Sequence, residues 1–175
     1  LTGIEITTVA QGGITSYDFY ETFKNQDWSG HEFAIIELGR NDVAQPPIGY
    51  GDWTEQSVTG FTNIIDKLKT ENPGIKIFVC NDTNIVGNKE LWNLINGIEQ
   101  FVADLDDPDV ILLDMHKYSR LNSTNAYQCG HLTQYGYYRL AQDYCNYISW
   151  YMATHKEEFR FIQFIGTNYV YTNDF

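Results

Sequence analysis

Three short stretches of the sequence hold residue types that can do chemistry together. Gly12-Gly13-Ile14-Thr15 lies in a glycine-rich loop, Ala10 to Ser16. Gly39-Arg40-Asn41-Asp42 ends an apolar run, Phe33 to Leu38. Gly130-His131-Leu132-Thr133-Gln134-Tyr135-Gly136-Tyr137 closes a long loop. A glycine lets the backbone come close to a ligand, so that its N–H can face an anion. The Asn41 side-chain amide is a second donor of the kind that stabilises an oxyanion. His131 is the side-chain type best suited to take and return a proton near neutral pH. Each stretch also has a plainer reading. Gly-x-Asn-Asp is ordinary turn chemistry after a strand, and His131 can serve as a turn residue ahead of a helix.

The elements that must position these residues follow from periodicity. Ile4 to Val9 alternates apolar and polar residues, as a half-buried strand does. A short helix is expected from about Tyr17 to Asn25, then the buried strand Phe33 to Leu38. The loop Val43 to Asp52 carries Pro46-Pro47 and Gly49-Tyr50-Gly51, which exclude regular structure. Trp53 to Glu71 reads as a helix with Val58, Phe61, Ile64, Ile65 and Leu68 on one face, stopped by Asn72-Pro73-Gly74. Ile75 to Cys80 is the next strand. Lys89 to Leu105 is a helix with Leu91, Leu94, Ile98, Phe101 and Leu105 as its inner stripe. Val110 to Leu113 makes a fourth strand, followed by a loop from Met115 to Gly130. The last helix, Gln134 to Thr154, buries Leu140, Ala141, Tyr144, Ile148 and Tyr151. The order β-α-β-α-β-α-β-α specifies a parallel sheet with helices on both faces. In such sheets chemistry gathers at the carboxyl ends of the strands.

Composition narrows the class. The 175 residues suit one domain, and 43% hydrophobic content is that of a globular protein. No apolar run is long enough to cross a membrane. The net charge of -12 argues against a nucleic-acid partner, which needs clustered Lys and Arg to neutralise phosphates. Three cysteines, Cys80, Cys129 and Cys145, without a Cys-x-x-Cys, indicate neither a disulfide framework nor a zinc site. The first residue is Leu1, not Met, and no signal peptide precedes it, so a piece of a longer protein is expected.

The three chemical stretches, in their order, resemble the blocks of the SGNH (GDSL-type) hydrolases, a family of esterases and acylhydrolases on a flavodoxin-like three-layer α/β/α fold with a parallel sheet. The resemblance covers residues 4 to 155. It implies that Gly13 supplies a backbone N–H to the oxyanion hole and that Asn41, in the fully matched Gly39-x-Asn41-Asp42, supplies the side-chain donor. His131, with Leu132, Thr133, Gly136 and Tyr137, matches the block of the general base. No metal or organic cofactor is implied. Two departures stand out. The acidic position three residues before the histidine is Gln128, which can orient an imidazole but carries no charge. Gly-Asp-Ser, which holds the nucleophile, is absent, and the family's pattern places it before residue 1. In the flavodoxin-like strand order 2-1-3-4-5 the first strand lies between Ile4–Val9 and Phe33–Leu38. Unpaired inner edges would cost ~1–3 kcal/mol for each orphaned backbone group, so that strand is expected from outside these 175 residues.

Other residues have open roles. Tyr50, Trp53 and Tyr127 sit in loops bordering the expected crevice, where they can stack on sugar rings or act as lids over the core. His116, with Asp114 beside it, follows the fourth strand and reads as a polar loop residue. Asp82, Asp114, His116 and His131 have no diagnostic metal-site spacing. Ser16 is placed to cap the first helix, and Cys129 is too close in sequence to His131 for in-line attack. The expected organisation is a hydrolase-like domain over 1–155 and an aromatic extension over 156–175. That extension is expected to be held by a neighbouring domain or a partner subunit. Phe159 to Thr167 resembles the ends of SGNH domains in phage tail or surface-associated proteins, which implies an extracellular, cell-surface or virion setting. Two functions are compatible with the residues: an esterase acting on an acylated glycan or other small ester, and a non-catalytic glycan-binding or structural module.

Overall fold

Parallel pairing of three apolar runs builds the sheet. The computed structural model describes residues 6–82, 89–119, 121, 126–128 and 131–159. The chain divides into two compact units, one of Ala10–Tyr118 and one of Leu1–Val9 with Ser119–Phe175. In the first, β1 (Phe33–Ile36), β2 (Lys76–Cys80) and β3 (Val110–Leu113) lie side by side in that order. Ile36 pairs with Val79, and Cys80 with Leu113. The helices of this unit are α1 (Ser16–Phe23), α2 (Glu55–Glu71), α3 (Lys89–Leu105) and a single turn, α4 (Met115–Tyr118). The second unit holds the two-residue strands β4 (Tyr127–Gln128) and β5 (His131–Leu132), paired antiparallel, and α5 (Gln134–Thr154). The described residues thus form a mixed α/β protein with a three-stranded parallel sheet and five helices, an arrangement compatible with a three-layer α/β fold.

One core joins α2 and α3 to one face of the sheet. Phe61, Ile64, Ile65 and Leu68 of α2 and Leu91, Leu94, Ile98 and Phe101 of α3 cluster with Ile77 and Val79. Alternation along β2 turns Phe78 and Cys80 to the opposite face, where they are also buried. The stripe of α2 differs from expectation at its start. Val58 is exposed, and Ser57 and Gly60 take the inner positions because they continue the i, i+3, i+4 row of Phe61 and Ile64. That row meets α1 at backbone distance: a Cβ on Gly60 would lie 2.5 Å from the Tyr17 nitrogen.

Three other expectations change. Ile6–Val9 is exposed coil instead of a strand, with Ile6 68% exposed, and residues 1–5 lie outside the described ones. Alternation marks which side chains share a face, yet a strand also needs a backbone partner, and no described strand pairs with these four residues. The expected loop from Met115 to Gly130 contains α4 and β4. At the start of the extension, Phe159 is buried with its ring edge-on to Tyr151 of α5, 6.3 Å between centroids, so it belongs to its own unit's packing. The rest of that segment, from Arg160, lies outside the described residues. Among the described residues no helix is long and apolar enough to cross a membrane.

Candidate functional site

The turn after β1 is fixed by a glycine that nothing else can replace without strain. Gly39 has φ +100°, and a Cβ there would lie 2.6 Å from Leu94 Cδ1. The left-handed conformation disfavours any side chain, and a Cβ would also require the Leu94 methyl to shift. The Gly39 carbonyl then accepts from the Asp42 and Val43 amides at 3.0 and 3.3 Å, closing the turn. Its two polar side chains reach back to the glycine-rich loop. Asn41 Nδ2 donates to the Ile14 carbonyl at 3.0 Å. Asp42, fully buried, accepts from Ser16 Oγ at 2.5 Å and from the Ser16 amide at 2.9 Å.

These bonds explain how α1 begins. Thr15, not Ser16, is its N-cap: Thr15 Oγ1 accepts from the Asp18 amide and donates to Asp18 Oδ2. Ser16 is the first helical residue, and the Asp42 carboxylate sits at the helix N-terminus, where a negative charge is favoured. A serine whose hydroxyl is buried and committed to a carboxylate is a structural residue, so Ser16 is no nucleophile. Two stretches 27 residues apart become one rigid piece. Gly13 lies one residue before the tethered Ile14 and is exposed, with φ +74°. A carboxamide nitrogen carries two hydrogens. One of the two on Asn41 Nδ2 is given to the Ile14 carbonyl.

Tyr50 extends the same piece. Its amide donates to the Asp42 carbonyl at 2.7 Å and its hydroxyl to Thr15 Oγ1 at 3.1 Å. Burial pushes the phenol pKa above its ordinary value, against the opposing effect of the Thr15 bond. Trp53 turns to the core, 5.4 Å from the Phe61 ring and 6.4 Å from Phe101, so of the two alternatives it takes the packing role. An open groove of about 470 Å³ lies between Tyr17 of α1, Tyr50, and Thr54, Glu55, Gln56 and Thr59 at the start of α2.

The ends of β2 and β3 carry a second polar cluster. The buried Asn81 donates to Asp114 Oδ1 at 2.9 Å and to Glu99 Oε1 at 3.0 Å, and accepts from the His116 amide at 3.0 Å. The His116 ring stands edge-on to Trp92. Asp82 pairs with Arg40 at 2.7 Å. Among the described residues no three His, Cys, Asp or Glu side chains are placed to hold a metal ion.

His131 belongs to the second unit. It is exposed in β5, opposite Gln128 in the two-residue ladder, and Thr133 caps α5 by accepting from the Gly136 amide at 3.1 Å. The side chains of Tyr127 and Gln128, and the whole of Cys129, lie outside the described residues. A scan against protein-family models and searches of curated proteins and of solved structures find no match to this chain.

Sequence reading missed the hub role of Asn81, since an asparagine after a strand signals only a turn. It also missed the division of labour in the Asn41-Asp42 pair. The signal for that was present: Thr-Ser two residues past a glycine pair, with a carboxylate after the next strand, is a helix start seeking an acceptor.

Proposed function

We propose that this chain carries the oxyanion donors and the general base of an SGNH-type ester hydrolase that deacylates a carbohydrate or another small ester. The observation behind this reading is the tether from Asn41 Nδ2 to the Ile14 carbonyl, which holds the Gly13 loop and the Gly-x-Asn-Asp turn together. Donors fixed in advance need no reorganisation when charge develops, the condition under which an oxyanion hole is effective. In the proposed reaction a serine Oγ attacks the acyl carbonyl while His131 takes its proton. The tetrahedral oxyanion accepts from the Gly13 N–H and Asn41 Nδ2. Collapse expels the alcohol, which takes the proton from His131, and water then releases the acid by the same steps in reverse. In the family this reading draws on, that serine belongs to a Gly-Asp-Ser block, which these 175 residues do not contain. Gln128 supports a rival reading as a glycan-binding module, because an uncharged partner cannot stabilise an imidazolium.

The test uses a longer chain carrying the nucleophile, assayed on p-nitrophenyl acetate. Asn41→Ala should lower kcat by ~10²–10³, and His131→Ala should lower it at least as far, with melting temperature followed in parallel. Turnover by residues 1–175 alone that is abolished in His131→Ala would sink the external-serine requirement. Unchanged kcat in Asn41→Ala would sink the oxyanion assignment.

A further inference from the structure

The groove beside the candidate oxyanion turn has a chemistry of its own. It is lined by two tyrosines, Tyr17 and Tyr50, together with Thr54, Glu55, Gln56 and Thr59. Tyr50 is held at both ends, by its amide on Asp42 and its hydroxyl on Thr15. Its ring is therefore placed before any ligand arrives, which reduces the ordering cost of stacking on it. Thr59 Oγ1 donates to the Glu55 carbonyl and the Thr54 hydroxyl accepts from the Ser57 amide, so both threonines serve the helix. The Glu55 carboxylate and Gln56 carboxamide, both on exposed residues, remain for a ligand. Aromatic surface with a few convergent acceptors and donors suits a ring with one apolar face and hydroxyls at its edge. The carboxylate in the groove and the net charge of -12 oppose anionic rings.

We infer that this groove binds a neutral sugar unit, its ring against Tyr50 and Tyr17 and its hydroxyls on Glu55 and Gln56. The inference deepens the esterase reading and rests on it for one point only, that the bound sugar carries the ester. Thr15, which receives the Tyr50 hydroxyl, follows Ile14, which receives the Asn41 amide. Groove and oxyanion turn are thus adjoining parts of one bonded network.

The experiment is a titration of residues 1–175 with xylotetraose and, separately, with tetra-N-acetylchitotetraose, followed by amide chemical shifts in NMR. A galacturonic acid trimer serves as the anionic probe. The expected result is saturable shifts around Tyr17, Tyr50 and Gln56 with at least one neutral probe, at a Kd on the order of 1 mM or tighter. Tyr50→Ala should weaken binding about tenfold or more. Tyr50→Phe keeps the ring but loses the Thr15 bond, and should weaken binding clearly less than Tyr50→Ala, which separates stacking from folding. Glu55→Gln should relieve discrimination against the galacturonic acid trimer. No saturable shift with either neutral probe, equal binding of the anionic one, or parent-like binding by Tyr50→Ala overturns the inference. Ester turnover is read independently on p-nitrophenyl acetate, so loss of the sugar site and loss of the esterase reading are distinguishable.

Discussion

Asp42 does for structure what Asn41 is proposed to do for chemistry, and a substitution distinguishes the two. Asp42 is wholly buried and satisfies both the amide and the hydroxyl of Ser16. Asp42→Ala leaves the buried Ser16 amide without a partner and its hydroxyl with only the long contact to the Ser57 carbonyl at 3.4 Å, at ~1–3 kcal/mol for each weakened donor. We expect a loss of about 3 kcal/mol in urea unfolding at pH 7. Asp42→Asn keeps one oxygen and should lose about half as much, because a hydroxyl can reorient to accept from the new amide. Asn41 is only half-buried and its Ile14 bond is a single neutral one, worth about 1 kcal/mol. Asn41→Ala should therefore be mild in stability where Asp42→Ala is severe. Equal losses at the two positions would contradict this division.

The contact of α1 with α2 sets where that pair of residues can sit. Gly60 lies in the middle of α2, where alanine would ordinarily stabilise a helix by about 1 kcal/mol. Here the added methyl would lie 2.5 Å from Ser16 Oγ and the Tyr17 nitrogen, and 2.7 Å from the Ser16 carbonyl carbon. Main-chain atoms at the start of a capped helix cannot step aside, so overpacking of about 1–3 kcal/mol should exceed the propensity gain. Gly60→Ala is expected to lower stability by roughly 1 kcal/mol net and to shift the amide resonances of Thr15 to Asp18. A rise in stability would mean that the helices separate freely at this point.

Across the whole molecule, the far end of α2 is tied down by charge. Lys69 holds the Asp107 carboxyl below the usual carboxylate range, helped by the Asp109 amide. Lys67 does the same to Glu71, which also accepts from the Trp28 amide. A carboxyl whose folded pKa lies below its unfolded one adds stability that is complete above the unfolded value. That stability is lost as pH falls through the folded one. With unfolded values near 4, unfolding free energy should be level from about pH 7 to 5 and fall below that. Lys69→Met should lower stability at neutral pH and flatten the decline in acid. Chemical denaturation at several pH values checks both. A decline in Lys69→Met as steep as in the parent would separate acid sensitivity from this pair.

The order of elements from α1 to β3, and the last helix α5, was determined by the sequence alone. Lys89–Leu105, Val110–Leu113 and Gln134–Thr154 were legible to the residue because apolar spacing and the breakers Asp106-Asp107-Pro108 are local signals. The Gly-x-Asn-Asp turn was legible for the same reason, since a positive φ at Gly39 belongs to one residue and its neighbours. Tertiary structure decided the rest. Ile4 to Val9 has the alternation of a strand, but pairing depends on a backbone elsewhere, and Ile6–Val9 lies exposed. Trp53 and Tyr50 look alike in sequence. One packs beside Phe61, next to the Thr54 cap of α2, and the other lines an open groove because its amide and hydroxyl are held on Asp42 and Thr15. Asn41 and Asp42 are neighbours with similar shapes. Only the approach of α1 decides that Asp42 is buried on Ser16 while Asn41 stays half-buried with its amide on the Ile14 carbonyl.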